Sequence, residues 1–205
     1  MRFKKKTLWG MGLGIVLIVA ATVTFIILWG KFKERDRERE RVEYEETIQT
    51  VAEKIMTCPD EKMMELYDSM YAQAANSTYT LDQGKVVEYE ATPIEKKLLE
   101  MYGPYISEDW YESFVIHFET EFMMYSTATG YESKIDHIEF EQSKTTPTNF
   151  SFTIYLSYGQ IKGEKKDIEI KGSAQMAEED GKIAYIQFLT DRDFMLEFRN
   201  ANAGQ

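Results

Sequence analysis

The chain has very little of the chemistry from which disulfides, metal sites and nucleophilic active sites are built. It contains 1 cysteine, Cys58, and 2 histidines, His117 and His137. One cysteine excludes a disulfide within the chain, and three isolated residues do not supply the clustered ligands of a zinc site. The sequence contains no glycine-rich phosphate loop, and no Ser-His-Asp or Cys-His-Asn order in it rises above chance. The sequence therefore predicts no metal, no cofactor and no catalytic motif.

Proline is scarce as well, and basic residues are scarce in the C-terminal part. The 205 residues include 4 prolines, 43% hydrophobic and 14% aromatic residues, which excludes a disordered chain. Residues 1–30 carry a charge of +4 and residues 31–43 carry +1, so the net charge of -11 leaves -16 for residues 44–205. Such a surface repels phosphate groups. We therefore expect no nucleic-acid partner.

One long apolar run lies near the N-terminus. Residues 8–29 read LWGMGLGIVLIVAATVTFIILW and contain no charged residue. At about 1.5 Å per residue, a helix of this length extends about 33 Å and crosses a hydrocarbon core of about 30 Å. We therefore predict a transmembrane helix that contacts the lipid bilayer. The residues expected in the membrane include Leu8, Trp9, Ile15, Leu17, Phe25 and Trp29.

The orientation of this helix depends on its flanking charges. Four basic residues precede it and six follow it, which leaves the orientation open. The tail, residues 1–7, is purely basic, whereas the bases after the helix alternate with acids, so we predict a cytoplasmic N-terminus. The rest would then lie outside the cell membrane, as in a single-pass protein of a Gram-positive bacterium. Maleimide labelling of Cys58 would test this if its thiol is exposed.

Signal-peptide cleavage near Ala20 and Ala21 is the alternative for the N-terminus. The apolar run continues to Trp29, which is too long for the hydrophobic region of an ordinary signal peptide, so we favour an uncleaved anchor. Residues 30–43 are strongly charged and predict a solvated helical stalk. Contact of Lys31 and Lys33 with lipid headgroups is the alternative for this segment.

The remaining chain predicts one α+β domain, residues 44–190, followed by a C-terminal tail, residues 191–205. Its first half has the periodicity of amphipathic helices: a first helix with one apolar face from Ile48 to Met56, and a second that ends near Asn76. Residues 78–90 predict a short hairpin or a loop. Pro93 in the segment TPIE marks a further helix start inside a capping box. Beyond Gly130 the period changes to 2 over four runs, which predicts an antiparallel meander with one apolar face. We expect the helices to cover that face.

This order of elements resembles the nuclear transport factor 2-like cone, in which helices close onto a curved antiparallel sheet. The similarity covers residues 44–190. It rests on EETIQTVAEKIMTCPDEKMMELYD, on SEDWYESFV, and on four strands that end at Leu189. With its N-terminal anchor, the chain also resembles the bitopic assembly subunit of type IV secretion and conjugation systems. The resemblance implies protein partners or self-association, and it assigns no functional residue.

Two functions follow as hypotheses. The first is a protein-interaction or scaffold module, as in a conjugation or secretion assembly, with a hydrophobic contact patch on the outer sheet face that includes Tyr155. The second is a small-molecule-binding or isomerase-like cone. By analogy with related cones, His117 is the candidate general base, since it shares a helical face with Trp110 and Phe114. The residues expected to line the cavity are Trp110, Phe114, His117, Tyr125 and Tyr158.

Each of these residues can be explained by an ordinary structural role, and this weighs against the second hypothesis. A lone histidine beside a core is far more often a hydrogen-bonded structural residue than a catalytic one. His137 is expected to face solvent, and Asp136 to lie at a solvated rim. The first hypothesis is therefore favoured.

Overall fold

The computed structural model describes residues 6–66, 68, 93–118, 122, 130–190, 194 and 196–197, with the side chains of residues 6–23 and of Ile94 left out. The chain divides into two compact units, Met1–Glu43 and Tyr44–Gln205. The helices are α1 (Lys6–Met56), α2 (residues 61–66), α3 (Pro93–Tyr102) and α4 (Glu108–His117). The strands are β1 (Tyr131–Gln142), β2 (Asn149–Gln160), β3 (Lys165–Met176) and β4 (Ile183–Leu189).

The first unit is helical from Lys6 onward. Each side chain of residues 25–29 is between 54% and 63% exposed, and the rings of Phe25 and Trp29 stack with their centroids 5.8 Å apart. In the part of the chain that is described, no helix is both long enough and apolar enough to cross a membrane. Most of the predicted span, including Leu8, Trp9, Ile15 and Leu17, has side chains outside that part. The transmembrane helix stays a prediction.

In the second unit, the last turns of α1 lie in the core. The predicted apolar face of this helix is confirmed, and α1 ends before Pro59, whose ring nitrogen has no hydrogen to donate. The start of α3 at Pro93 and its end before Gly103 agree with the sequence as well. The buried residues of the helical layer include Ile48, Val51, Ala52, Ile55, Met56, Met63, Leu98, Tyr102, Phe114 and Phe118.

The four strands form one open antiparallel sheet in the order β1-β2-β3-β4, and the helices pack on it. This confirms the predicted α+β class and the meander. Ile138, Ile154 and Ile170 lie in register across the first three strands and belong to the inward face. The register of β1 shifts between Ile135 and His137, so Asp136 is a bulge residue and is exposed.

Each of the two edge strands, β1 and β4, is hydrogen-bonded at one residue to a segment that connects other elements. The Ser133 N–H on β1 donates to the Cys58 carbonyl at 3.0 Å. On β4, the Ile183 N–H donates to the Tyr105 carbonyl at 2.8 Å, and the Ile183 carbonyl accepts from the Ser107 N–H at 2.9 Å. Satisfied edge groups protect a sheet from pairing with other strands, so these segments close part of both edges.

The outer face of the sheet differs from the prediction. The outward residues of β2 are Ser151, Thr153, Tyr155 and Ser157, and those of β3 are mainly charged. Tyr155 stacks on His137 with ring centroids 4.2 Å apart, and its hydroxyl donates to Glu139 at 3.3 Å. The predicted hydrophobic patch around Tyr155 is therefore wrong, because the alternation that fills the inward face leaves polar residues outward.

The predicted C-terminal tail contributes to the core. Phe194 is 3% exposed, and its ring packs edge-on against Tyr158 at a centroid distance of 4.9 Å. The predicted continuation of the second helix to Asn76 and the predicted hairpin or loop over residues 78–90 lie outside the described residues.

Candidate functional site

A cavity of about 150 Å³ lies between α4 and β4. Most of its lining residues are apolar or aromatic by type, but polar atoms contribute more of its exposed wall than carbon atoms do. His117 is the only titratable imidazole, amine or carboxyl group among its described lining residues. These residues are Ile55, Trp110, Phe114, His117, Phe118, Phe122, Tyr185, Ile186, Gln187 and Phe188.

The floor of the cavity follows from helical and strand spacing. Phe114 and Phe118 are four residues apart on one face of the helix, with ring centroids 6.2 Å apart, and both are buried. Phe188 projects inward from β4, where its ring meets that of Phe122 edge-on at 5.6 Å. Aromatic side chains from both layers therefore close the cavity toward the core.

The mouth of the cavity is made of amphipathic side chains. The rings of Trp110 and Tyr185 lie 5.5 Å apart, and Tyr185 is 42% exposed. The Tyr185 hydroxyl donates to Gln187 Oε1 at 3.0 Å. Trp and Tyr with one apolar and one wet side are common at protein interfaces. The mouth thus offers apolar contact and hydrogen-bonding groups together.

His117 lies at the mouth and is exposed. Its Nδ1 is 2.8 Å from the Ser113 carbonyl, which only accepts, so Nδ1 carries the proton of this hydrogen bond. The structure brings His117 to the same cavity as Trp110 and Phe114, but its side chain is exposed and not buried as that of Phe114 is. His117 follows Trp110 by seven residues and is within about 20° of it around the helix, but about 60° away from Phe114.

The other predicted cavity residues are divided. Trp110 and Phe114 line the cavity together with His117. Tyr158 does not, because it lies on β2 beside Phe194, with the Lys166 ammonium 5.8 Å from its ring centroid. Tyr125 lies outside the described residues.

Sequence reasoning missed Tyr185, Gln187 and Phe188 as cavity residues. One feature of the sequence could have indicated them: β4, which reads IAYIQFL and is an edge strand of the sheet, contains no charged residue. Outer strands usually carry charged residues that prevent pairing, so an uncharged one is a candidate contact region.

Cys58 and Tyr102 are two further residues with a reactive or polar group that is buried in the core. Cys58 is 2% exposed, and its thiol lies 3.8 Å from the Tyr131 carbonyl oxygen, to which it can donate a weak hydrogen bond. The Tyr102 hydroxyl has no hydrogen-bond partner among the described residues. Burial, and secondarily the charge of Asp60, raises the pKa of Tyr102.

Metal-binding groups do not converge in the described residues. No set of three or more His, Cys, Asp or Glu side chains there is placed to hold a metal ion.

No protein-family model, curated protein or solved structure matches the chain. The resemblance to the nuclear transport factor 2-like cone accordingly stays a prediction. The function is argued below from the geometry of the cavity and the distribution of apolar and charged residues.

Proposed function

We propose that this chain is a single-pass membrane protein whose second unit lies outside the cytoplasm and binds a partner protein. The cavity between α4 and β4 is the binding site, and it receives one apolar side chain of the partner. The observation that carries this proposal is the combination of a small cavity, lined mainly by aromatic and aliphatic residues, with an aromatic mouth made by Trp110 and Tyr185.

The size of the cavity supports a side-chain anchor over a substrate molecule. Ligand pockets for small molecules usually enclose about 300–1,000 Å³. The cavity here has about 150 Å³, and an apolar cavity of about that volume accommodates a benzene molecule. The ring of one Phe side chain, or one Leu side chain, therefore fills it.

The composition of the mouth supports an interface as well. Binding energy at interfaces concentrates in a few Trp, Tyr and Arg residues around a desolvated centre. Trp110 is half-buried and Tyr185 is exposed, so both rings have surface left to bury against a partner. Complete burial of a fully exposed large apolar side chain contributes roughly 1.5–3 kcal/mol of transfer free energy. Trp110 and Tyr185 are already partly covered, so each can add only a part of that value, before the entropy loss of association.

Observations on the first unit support the proposed membrane anchor. Residues 25–29, all apolar, are exposed on α1, and water is an unfavourable environment for five consecutive large apolar side chains. The uncharged run that precedes them brings the segment to the length of a bilayer crossing. The basic tail favours a cytoplasmic N-terminus, which would leave the second unit outside.

We also propose the fold family of the second unit and the kind of assembly to which the chain belongs. The order of helices followed by a four-stranded meander supports a nuclear transport factor 2-like cone. A membrane-anchored cone of this kind fits a subunit of a conjugation or secretion assembly, in which neighbouring subunits supply the partner.

A small-molecule-binding or isomerase-like function is the weaker candidate. His117 at the mouth is its supporting observation. A general base that is tuned by its surroundings is normally desolvated, whereas His117 is exposed, and the cavity leaves no room for a typical substrate.

Site-specific crosslinking tests the proposed function. We would introduce p-benzoylphenylalanine in place of Gln187 at the mouth, and in place of Lys162 in the exposed turn between β2 and β3 as the control. Irradiation of cells that produce the full chain should give an adduct with another protein from position 187 and none from position 162. Adducts from both positions alike, or from neither, would contradict the proposal, and adducts with a second copy alone would make the cavity a self-association site.

A further inference from the structure

Two hydrogen bonds at the end of β3 show which residues of β4 bond to the sheet. The Met176 N–H donates to the Thr148 carbonyl at 2.8 Å, on the side of β2. The next residue, Ala177, donates its N–H to the Lys182 carbonyl at 2.7 Å, on the side of β4. Successive residues of a strand direct their backbone groups to opposite sides, so the odd-numbered residues of β3 bond to β4. Their partners in the register are Tyr185, Gln187 and Leu189.

Two residues of β4 therefore direct their backbone groups away from the sheet. Ile186 and Phe188 lie between the residues that bond to β3, so their N–H and C=O groups lie at the free edge of β4. Near the start of the strand this edge is closed, since Ile183 bonds to Tyr105 and Ser107. Within the residues that the structure describes, no hydrogen bond closes the edge at Ile186 or Phe188.

The cavity lies beside this open edge. Its lining includes four consecutive residues, 185–188, whose side chains lie on both faces of the sheet. A space in contact with both sets of side chains borders the strand at its edge, where the backbone groups of Ile186 and Phe188 lie. These groups, with the Tyr185 hydroxyl and the Gln187 amide, explain why a cavity lined mainly by aromatic and aliphatic residues has a largely polar wall.

The open backbone groups favour an occupant that can form hydrogen bonds. Ile186 and Phe188 are buried, and roughly nine-tenths or more of the buried backbone N–H and C=O groups in proteins have a hydrogen-bond partner. A buried donor or acceptor without a partner loses its hydrogen bonds to water and gains none. An occupant that bonds to this edge is therefore favoured over one that fills the cavity with carbon alone.

We infer that the side chain bound in the cavity is that of a tyrosine of the partner protein, with its hydroxyl hydrogen-bonded to the backbone of Ile186 or Phe188. This inference rests on the proposed function and names the anchor residue. The apolar ring of tyrosine has the size of benzene, which fits the cavity. A hydroxyl both donates and accepts, so it can bond to either kind of backbone group.

Other side chains complement the cavity less well. Phe and Leu fill its volume but leave the edge groups without a partner. The two-ring side chain of Trp is too large for a cavity of about 150 Å³. Ser, Thr and the amide side chains can bond to the edge but leave much of the aromatic wall uncovered, and a charged side chain would lose its hydration among aromatic rings.

Three pentapeptides test the inference with the full chain in phosphatidylcholine nanodiscs. Each has two Ser residues on either side of a central Tyr, Phe or 4-fluorophenylalanine, and the fluorine atom is close to a hydroxyl in size but donates no proton. Titrations followed by saturation-transfer NMR of the peptides measure the three Kd values. The Kd of the Tyr peptide should be at least about fivefold lower than that of either other peptide, as expected for one hydrogen bond.

The NMR signals of β4 locate the contact of the hydroxyl. In the full chain labelled with nitrogen-15 and carbon-13, we would compare saturation with the Tyr peptide and with the 4-fluorophenylalanine peptide. The amide proton or the carbonyl carbon of Ile186 or Phe188 should shift more with the Tyr peptide. Ile183, whose N–H already donates to Tyr105, is the control and should respond equally to both peptides. Equal responses at all three residues would contradict the inferred contact.

A variant at the mouth tests whether the peptide binds in the cavity. Trp110→Ala removes an aromatic ring there and should raise the Kd of the Tyr peptide by about fivefold or more. Ile161→Ala, in the exposed turn between β2 and β3, is the control and should change the Kd by less than about twofold. Equal Kd values for the two variants would contradict binding in the cavity. If circular dichroism shows that Trp110→Ala is unfolded, the β4 signals of the native chain decide the site.

Each other result overturns the inference in a distinguishable way. Equal binding of the three peptides would exclude the hydroxyl contact but leave the proposed function standing. Tighter binding of free p-cresol than of the Tyr peptide would make the cavity a small-molecule site, and dissociation of a dimer of the full chain by the Tyr peptide would make the occupant a second copy. Binding of no peptide at about 1 mM would also overturn the inference, while crosslinking from position 187 would still decide the proposed function.

Discussion

Phe152 and Gly172 lie opposite each other on β2 and β3, and the Phe152 ring fills the space above the glycine. A Cβ atom at residue 172 would be 2.3 Å from two atoms of that ring and 2.7 Å from the Gln187 carbonyl oxygen. The Phe152 ring in turn meets Phe188 at a centroid distance of 5.6 Å, and Phe188 lines the cavity. The glycine therefore sets the position of an aromatic ring behind the cavity wall.

Replacing this glycine should destabilise the domain. We expect Gly172→Ala to lower the free energy of unfolding by about 1–3 kcal/mol, because neither the ring nor the neighbouring backbone has room to move away. Urea denaturation of the full chain in detergent, followed by circular dichroism, measures this. Ser173→Ala, at the exposed neighbouring position, is the control and should change stability by less than about 0.5 kcal/mol. Equal stability of the two variants would show that the sheet relaxes around residue 172.

Replacing the buried Tyr102 by Phe should not destabilise the domain, in contrast to the replacement of Gly172. The Tyr102 hydroxyl is buried, and no hydrogen bond to it is found within the described residues. Removing it with Tyr102→Phe should leave stability unchanged or raise it by up to about 1 kcal/mol, because an unpaired buried hydroxyl loses its hydrogen bonds to water on folding. Thermal unfolding at neutral pH checks this prediction. A loss of more than about 1 kcal/mol would mean that the hydroxyl has a partner in the native protein.

The raised pKa of Tyr111 predicts how the free energy of unfolding changes in alkaline solution. Burial, and secondarily the charge of Glu95, raises the pKa of Tyr111 to about 12. Above about pH 10 the tyrosine of the unfolded chain loses its proton while the folded chain keeps it, so the free energy of unfolding falls with rising pH. Tyr111→Phe should therefore make the fall between pH 10 and pH 12 less steep. Parallel slopes for the variant and the native chain would contradict this assignment.

His117 distinguishes the two candidate functions. Since its side chain is exposed, His117→Ala should change stability by less than about 0.5 kcal/mol. Because it removes one of several side chains at the mouth, it should reduce crosslinking from position 187 without abolishing it. Crosslinking yield and urea denaturation of the same variant test both statements. Loss of a ligand-binding or turnover activity without loss of stability would favour the isomerase-like function.

The sequence predicted the elements of the second unit better than their contacts. Apolar spacing of three and four predicted the buried face of α1 from Ile48 to Met56, and alternation with period 2 predicted all four strands. Both spacings are local properties of helices and strands, so they can be recognised in a single sequence. The bulge at Asp136 could not be predicted in this way, because a register shift depends on the partner strand.

The candidate site depended on contacts between distant residues. Trp110 and Phe114 were predicted from helical spacing, but their neighbour Tyr185 comes from β4, and nothing in the local sequence of α4 indicates that pairing. His117 lines the cavity with Trp110 and Phe114 but is exposed, because a three-residue step keeps two side chains near each other without giving them the same burial. The hydrophobic patch around Tyr155 failed because alternation puts the apolar residues of β2 on the inward face.

The membrane orientation requires a cysteine other than the native one. Cys58 is 2% exposed, so its thiol should not react with maleimide in the folded protein on either side of a membrane. Lys144, between β1 and β2, is exposed and suits a cysteine substitution. The native chain is the background control, and Lys5→Cys in the basic tail reports the opposite side.

Labelling of intact cells with a membrane-impermeant maleimide is the most direct test of a domain outside the cytoplasm. We predict that Lys144→Cys is labelled on whole cells, that Lys5→Cys is labelled only after lysis, and that the native chain is labelled only after denaturation. Labelling of Lys144→Cys only after lysis would place the domain in the cytoplasm and contradict the proposed function.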